Sequence, residues 1–276
     1  MKNYYPSLAI GGCLLLSAGL SGCGSRSINN DAPTPNSRLN DTGIIACSAL
    51  DTSVVANPCP QEALPGQDAE YGRDSLYAQG KLTKVGAGAA GFDFTKLDKS
   101  GVPLAIQNTN WEPANGTEAQ GTRWSCVQDH VTGLMWEVKE SLEDHPRYGG
   151  HSYTWFEESP TVNGGNAGVE NNGVCSTSNC DTQGYRTWVN QQGLCGHNDW
   201  RLPTTSELLS IAHTTNSGMA IDADFFPNTL KPRFYTRNTH ARDPMLAWYV
   251  YFTDASMSFT NKFDPSHVRL VRGGQL

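Results

Sequence analysis

The second half of the sequence predicts an α+β domain, on the evidence of two helix patterns and a later strand pattern. Residues 182–193 carry apolar side chains on one helical face, and residues 205–213 follow with a second helix pattern. Thr204 and Glu207 have the spacing of a capping box, the reciprocal side-chain to backbone pairing that begins many helices. Residues 247–253 alternate with a period of two, as strands do. Helices followed by antiparallel strands are typical of the α+β class.

The apolar faces of these elements define the expected core. We expect the following side chains there: Tyr185, Trp188, Val189, Leu208, Leu209, Ile211 or Ala212, Trp248, Val250 and Phe252. Two shorter strands, 122–127 and 133–138, flank a turn, and residues 268–271 form the last strand. Asp199 and Arg201 are expected to form a buried polar pair at the entry to the second helix.

The N-terminal residues 1–22 resemble the signal peptide of a bacterial lipoprotein. The apolar stretch 8–20 is too short to span a bilayer, which takes about 20 apolar residues, and it matches the apolar region of a signal peptide. Ser21 and Gly22 precede Cys23, as in a lipobox, so Cys23 is expected to become the acylated first residue. Ordinary cleavage with an unmodified cysteine is the alternative. The residues directly after Cys23 are Gly24 and Ser25, and neither is the aspartate that would suggest retention at the inner membrane. We therefore expect an anchor in the outer membrane and exposure on the cell surface.

Composition divides the remaining chain into three parts. Residues 23–43 are rich in Ser, Asn and Pro and are expected to form a disordered tether. Residues 44–121 are Gly-rich and predict an irregular lead of short strands and turns packed on the main domain, which occupies residues 122–276. The net charge of -7 argues against a nucleic-acid partner, which would need a basic surface.

Six cysteines remain beyond the signal peptide and Cys23, and an even number in an exported chain predicts three disulfides. Fifteen pairings are possible for six cysteines. The preferred pairing closes two local loops and ties the start of the main domain to its centre: Cys47–Cys59, Cys175–Cys180 and Cys126–Cys195. A metal site is the alternative, but these cysteines lack the paired C-x2-C spacing of zinc sites.

Six ordered motifs within residues 122–274 resemble the Lcl C-terminal domain family. They are Thr132-Gly133-Leu134-Met135-Trp136, the run CGHNDWRLPT from Cys195 to Thr204, Glu207-Leu208, Phe226-Pro227-Asn228-Thr229, Ala247-Trp248, and Val268-Arg269-Leu270-Val271-Arg272-Gly273. The resemblance implies a C-type-lectin-like architecture of two helices and antiparallel strands. Better understood members of the family are surface adhesins that bind host polysaccharides. The lead is similar to segments that precede this domain in exported bacterial lipoproteins.

The chain departs from the family pattern at residues 234–246 and 253–267. Aromatic, basic, acidic and hydroxyl side chains alternate there without chemical order, between stretches that keep the family motifs. This resembles the variable protein of a diversity-generating retroelement, in which a lectin-like scaffold displays altered side chains. The resemblance implies a ligand-binding surface formed by Tyr235, Arg237, Asn238, His240, Arg242, Asp243, Met245, Tyr249, Tyr251, Thr253, Asp254, Ser256, Ser258, Phe259, Asn261, Phe263, Asp264, Ser266 and His267.

Catalytic and cofactor motifs do not stand out in the sequence, so we expect a binding protein rather than an enzyme, without a cofactor. It has no G-x-S-x-G elbow, H-E-x-x-H pair or phosphate-binding glycine loop. The expected partner is a protein or glycan on another cell, a phage or a host. The alternative is a glycan adhesin with a fixed site that uses Arg237, Arg242 and Lys262. Loops 163–166 and 170–172 could hold a cation, although turn formation explains their Asn and Gly residues better, and no metal is expected.

Overall fold

The computed structural model describes residues 40–50, 57–215, 218–230 and 233–274. The expected signal peptide, Cys23 and most of the expected tether lie outside the described residues. Within the described part of the chain, no helix has both the length and the apolar character needed to cross a membrane.

Short helices and antiparallel strands form the described structure, which confirms the α+β class. The elements are α1 (Gly72–Ala78), β1 (Phe94–Leu97), β2 (Cys126–Asp129), β3 (Met135–Glu137), α2 (Thr182–Gln192), α3 (Thr205–Leu209), β4 (Arg233–Thr239), β5 (Leu246–Tyr251), β6 (Ser256–Asn261) and β7 (Val271–Arg272). The helix α1 lies in the lead, where only strands and turns were expected, so that prediction was incomplete. The last strand, β7, is also shorter than the expected strand 268–271, and it begins only at Val271.

The first sheet joins the lead to the family motifs. Its strand order is β1-β2-β3-β7, and every neighbouring pair is antiparallel. Phe94 of β1 is opposite Asp129 of β2, and Trp136 of β3 is opposite Val271 of β7. Both Phe94 and Trp136 are buried in one apolar core together with Trp124. The edge strand supplied by the lead is therefore part of the same core as the later strands.

The second sheet is a meander of β4, β5 and β6. Tyr249 in the central strand is opposite Tyr235 of β4 on one side and Ser258 of β6 on the other. Trp248 is opposite Phe259. The register between β4 and β5 shifts between Tyr235 and Thr239. This irregularity changes the pairing just where β4 leaves the core.

Both predicted helices of the main domain are present, and their ends have identifiable causes. Asp181 accepts a hydrogen bond from the backbone N–H of Gly184 at the start of α2, and Gly193 ends the helix in the left-handed conformation, with φ 63°. The capping box of Thr204 and Glu207 begins α3 as expected. However, α3 ends at Leu209, so the expectation of a helix to residue 213 was wrong. The next residues leave the helix because Ala212 pairs with Ile221 in a β-bridge.

The expected polar pair of Asp199 and Arg201 is wrong. Arg201 instead donates to both carboxylate oxygens of Glu207, at 2.7 and 2.6 Å, while Asp199 accepts from Arg272 at 2.7 Å near the surface. Burial raises the pKa of Glu207, but hydrogen bonds from Arg201 and from the Thr204 backbone outweigh burial and leave it below its ordinary value. The carboxylate that holds the segment before α3 in place is therefore that of Glu207, which lies within the helix itself.

The described residues contain three disulfides, and these have the preferred pairing. Cys126–Cys195 joins residues 69 positions apart and lies in the second core cluster with Tyr153 and Trp200. The other two close shorter loops, with separations of 12 residues for Cys47–Cys59 and 5 for Cys175–Cys180. The long crosslink ties β2 to Cys195, the first residue of the CGHNDWRLPT motif.

Candidate ligand-binding surface

Most of the expected ligand-binding residues lie on the second sheet and the turns around it, with part of each side chain exposed. Tyr235 and Ser266 are the two exceptions, because both are fully buried. The more exposed residues are Asn238, Arg242, Met245, Thr253, Asp254, Ser256, Phe259 and Phe263. The partly buried ones are Arg237, His240, Asp243, Tyr249, Tyr251, Ser258, Asn261, Asp264 and His267.

Tyr235 supports the surface from inside instead of contacting a ligand. Its ring belongs to a small core with Trp155 and Ala247. Its hydroxyl donates to the carbonyl oxygens of Asn261 and Asp264, at 3.0 and 2.6 Å. Burial raises the pKa of this hydroxyl, which therefore stays protonated and donating. The expectation that Tyr235 binds a ligand was wrong because the aromatic ring fills the space under the turn after β6.

Ser266 was also wrongly assigned to the ligand surface. Its backbone forms a two-way antiparallel bridge with Tyr153, with N–H···O distances of 2.9 and 2.7 Å. His267, the next residue, is only partly buried, and its Nδ1 lies 2.6 Å from the carbonyl oxygen of His151. The segment of Ser266 and His267 is therefore held against the segment of His151 and Tyr153. Only part of the His267 ring is exposed to a ligand.

Three rings form an aromatic cluster at the outer end of the second sheet: His240, Trp248 and Phe259. The centroids of His240 and Phe259 are 4.5 Å apart, and Trp248 meets Phe259 edge-on at 5.5 Å. Phe259 is 43% exposed and its neighbour Met257 is 51% exposed. The cluster presents apolar and aromatic area to solvent, as protein binding sites commonly do.

Trp248 was expected in the core with Val250 and Phe252, and that expectation was wrong. Val250 and Phe252 are fully buried against Phe234, whereas Trp248 lies nearer the beginning of the same strand and is only partly buried. A strict alternation predicts which face a side chain takes but does not show where along the strand the core ends. Trp248 and Met257 are therefore candidate contact residues that the sequence reasoning missed.

The opposite face of the same sheet carries a second partly exposed group. The rings of Tyr249 and Tyr251 are 6.4 Å apart, and the guanidinium of Arg233 lies 5.6 Å from the ring of Tyr249. Arg233 also donates to the carbonyl oxygen of Pro265 at 2.7 Å. Arg233 was not among the expected contact residues, although its position opposite Tyr251 could have been inferred once the strand register was known.

Carboxylates shape the exposed turns between these strands. Asp243 accepts from the backbone N–H of Met245 at 2.9 Å, and Asp254 accepts from that of Ser256 at 3.0 Å. Hydrogen bonds from Ser256 hold the pKa of Asp254 below its usual value. Such Asx-type contacts fix the local backbone without a buried core. Neighbouring side chains can therefore change with little effect on the turn.

The loop at residues 163–166 does receive a positive charge, and this charge is the ammonium of Lys262. Its Nζ donates to the carbonyl oxygens of Asn163 and Asn166, at 2.9 and 2.7 Å, and lies 3.9 Å from the centre of the Trp155 ring. Burial lowers the pKa of Lys262 to about 8. Because the residue is only 2% exposed, the expectation that Lys262 contacts a glycan was wrong.

An acidic cluster lies apart from this surface and joins the end of the expected tether to the lead. One oxygen from each of Asp41, Asp68 and Asp74 lies within 4.8 Å of the others. The two oxygens of Asp74 accept from the backbone N–H groups of Gly91 and Gly43, at 2.6 and 2.7 Å. Burial, and then the charge of Asp41, raise the pKa of Asp74. These hydrogen bonds connect the helix α1 to Gly43, at the end of the expected tether, and to Gly91 in the lead.

The described residues thus form an α+β domain that exposes aromatic and charged side chains on one small sheet above a disulfide-linked core. The family model for the Lcl C-terminal domain matches residues 125–272, which is more than half of the chain. The chain therefore belongs to the Lcl C-terminal domain family, as its motifs indicated. No curated protein and no solved structure matches it.

Proposed function

We propose that this chain is a lipid-anchored binding protein whose family domain recognises a ligand on another cell, a phage or a host. The observation that carries the proposal is the aromatic cluster of His240, Trp248 and Phe259. Aromatic residues concentrated at one exposed place, beside charged residues, are the composition that dominates binding energy at interfaces. The sequence offers no catalytic constellation that would favour an enzyme instead.

The architecture supports recognition that can change while the fold is kept. Buried residues such as Tyr235 and Val250 support the second sheet, whereas Thr253, Ser256 and Phe263 project from it with much of their surface exposed. Exposed substitutions away from buried contacts usually change stability by less than about 0.5 kcal/mol. This separation is what a lectin-like scaffold diversified by a retroelement would need. The matching test is a gene neighbourhood that contains a reverse transcriptase and a near-copy of this coding segment differing at adenines.

Binding is tested with the full-length protein held in outer-membrane vesicles. One arm uses a glycan array, and the other uses a panel of intact bacterial cells and phage particles. The glycan, cell or phage that binds the wild-type protein is then tested with the double variant Trp248→Ala/Phe259→Ala. Its affinity should fall by about 30-fold or more, since loss of a hot spot costs at least about 2 kcal/mol. Tyr71→Ala is the matched control, because Tyr71 is a 62% exposed aromatic residue in the lead.

The outcomes of this binding test are distinct. Retention on the glycan array alone identifies an adhesin for sugars, whereas retention on cells or phage that persists after enzymatic removal of glycans identifies a protein ligand. Equal binding by the double variant and the wild-type protein contradicts the proposed surface. Absence of binding in both arms contradicts the proposed function.

The lipid anchor is tested separately at Cys23. Growth with an alkyne-tagged fatty acid should label the wild-type protein, and Cys23→Ser should abolish both the label and the association with outer membranes. The label reports acylation of Cys23. Membrane association should be lost with it, because the combined acyl chains give stable attachment to a bilayer. A Cys23→Ser protein that remains in the outer membrane would show that another feature holds it there.

A further inference from the structure

A small cavity lies beside β4 and is lined by residues of β4, α2 and two connecting segments. Its volume is about 140 Å³. Its lining residues are Trp155, Glu157, Val162, Arg186, Arg201, Leu202 and Arg237. Arg237 is one of the expected contact residues, whereas the other lining residues lie outside the stretches that suggested a ligand surface.

Two of the three arginines in this cavity are already paired. Arg186 donates to Glu157 at 2.7 Å, and the other oxygen of Glu157 accepts from the backbone N–H of Ser159 at 3.1 Å. Arg201 donates to both oxygens of Glu207, which is itself buried. Both carboxylates near the cavity therefore have their partners, and each arginine–glutamate pair is neutral.

Arg237 is the third arginine, and its guanidinium has no ion pair or hydrogen bond among the residues that the structure describes. Its backbone is fixed, since its N–H donates to the carbonyl oxygen of Pro203 at 2.8 Å. The preceding carbonyl, of Thr236, accepts from the indole N–H of Trp155 at 2.9 Å. Backbone hydrogen bonds on both sides of the peptide between Thr236 and Arg237 thus hold one unpaired positive charge at the wall of the cavity.

We propose that this cavity binds one carboxylate group, carried on a short aliphatic arm of the ligand, and that Arg237 pairs with it. A guanidinium fork matches the two oxygens of a carboxylate in geometry and charge. One unpaired positive charge balances a monoanion, while a dianionic phosphate or a sulfated polymer would bring excess charge close to Glu157. Val162 and Leu202 provide apolar walls for the arm.

This inference rests on the proposed function only for the identity of the whole ligand that carries the carboxylate. Binding of a small free carboxylate tests the cavity independently of that function. The size of the cavity suits a carboxylate with two or three carbon atoms and not a whole sugar ring with its substituents. An aspartate or glutamate side chain has this form. The proposal therefore commits to a protein ligand with an acidic side chain at this position.

The experiment titrates the full-length protein with propionate and follows the indole N–H signal of Trp155 and the arginine side-chain signals by NMR. Propionate should shift these signals saturably, and the neutral isostere propionamide should not. Arg237→Gln should raise the Kd for propionate by about tenfold or more, because it removes a charge-assisted hydrogen bond. Arg242→Gln is the matched control, since Arg242 is an exposed arginine in the next turn.

A second variant keeps the charge and removes the space. Val162→Trp should fill the cavity from its partly exposed side and abolish propionate binding with Arg237 intact. Unchanged propionate binding in Arg237→Gln, an equal response to propionamide, or no saturable shift would overturn the proposal. Stronger binding of inorganic phosphate or sulfate than of propionate would also overturn it.

The two proposals can fail separately. The double variant Trp248→Ala/Phe259→Ala should keep its affinity for propionate, because neither residue lines the cavity. If the vesicle-bound protein retains no cell, phage or glycan but propionate still binds through Arg237, only the proposed function fails. If the larger ligand binds and Arg237→Gln leaves propionate binding unchanged, only the carboxylate site fails.

Discussion

Replacing Tyr235 tests whether the second sheet is supported by a buried frame. A fully buried aromatic side chain removes about 150–250 Å² from water, so at about 25 cal/mol per Å² its loss costs about 4–6 kcal/mol. Tyr235→Ala also removes the hydroxyl that donates to the carbonyl oxygens of Asn261 and Asp264, although the Asn261 oxygen keeps the backbone N–H of Asp264 as a donor. We therefore expect the free energy of unfolding to fall by at least about 4 kcal/mol.

Phe263→Ala is the matched control for Tyr235→Ala. Phe263 is 47% exposed, so its loss removes about half as much buried area and costs at most about 2–3 kcal/mol. Urea denaturation, followed by tryptophan fluorescence, gives both free energies, and the two variants should differ by about 1 kcal/mol or more. Equal destabilisation by the two substitutions would refute the assignment of Tyr235 to the frame and Phe263 to the surface.

Two further predictions concern the crosslinks and Lys262. Replacing both cysteines of Cys126–Cys195 by alanine should cost about 4 kcal/mol and replacing Cys175–Cys180 about 2 kcal/mol, since the loops span 69 and 5 residues; a reversed order in urea denaturation would contradict this. The pKa of Lys262 is lowered from 10.5 to about 8, so the unfolded chain binds more protons between these values and wild-type stability should rise with pH there. Relative to Lys262→Met this rise should reach at most about 3 kcal/mol, and an identical pH profile for both proteins would count against the buried ammonium.

Local signals in the sequence predicted the helices of the main domain and the disulfides well. The helix α2 and the capping box of Thr204 and Glu207 depend on residues within one or two turns, so their patterns are complete in a short window. The preferred cysteine pairing also agrees with the structure. Two of its three disulfides close short loops, and cysteines that are near in sequence are readily paired.

Contacts that form only in the folded chain explain what the sequence patterns did not predict. The strand β1 comes from the Gly-rich lead, but it pairs with β2 about 30 residues later, which no local pattern encodes. The pairing of Arg201 with Glu207 required the fold of the segment between them. Tyr235 has the composition of a contact residue, and only the position of Trp155 across the sheet makes it core.

The candidate site shows the same division. The sequence identified the stretches that surround the second sheet, and most of their residues are at least partly exposed. It did not identify Trp248, Met257 or Arg233, because their exposure depends on where the core ends along each strand. The cavity beside Arg237 also combines residues from four separate segments, and only the folded chain brings them together.

Comparing two surface-display libraries tests most directly whether the fold tolerates change at its exposed positions. One library randomises Arg242, Thr253, Ser256 and Phe263, and a second randomises four fully buried residues, Tyr235, Ala247, Val250 and Ser266. Resistance to a protease measures the folded fraction of each library. We predict that most clones of the first library and few of the second stay resistant. Similar folded fractions in the two libraries would contradict a rigid frame that supports a replaceable surface.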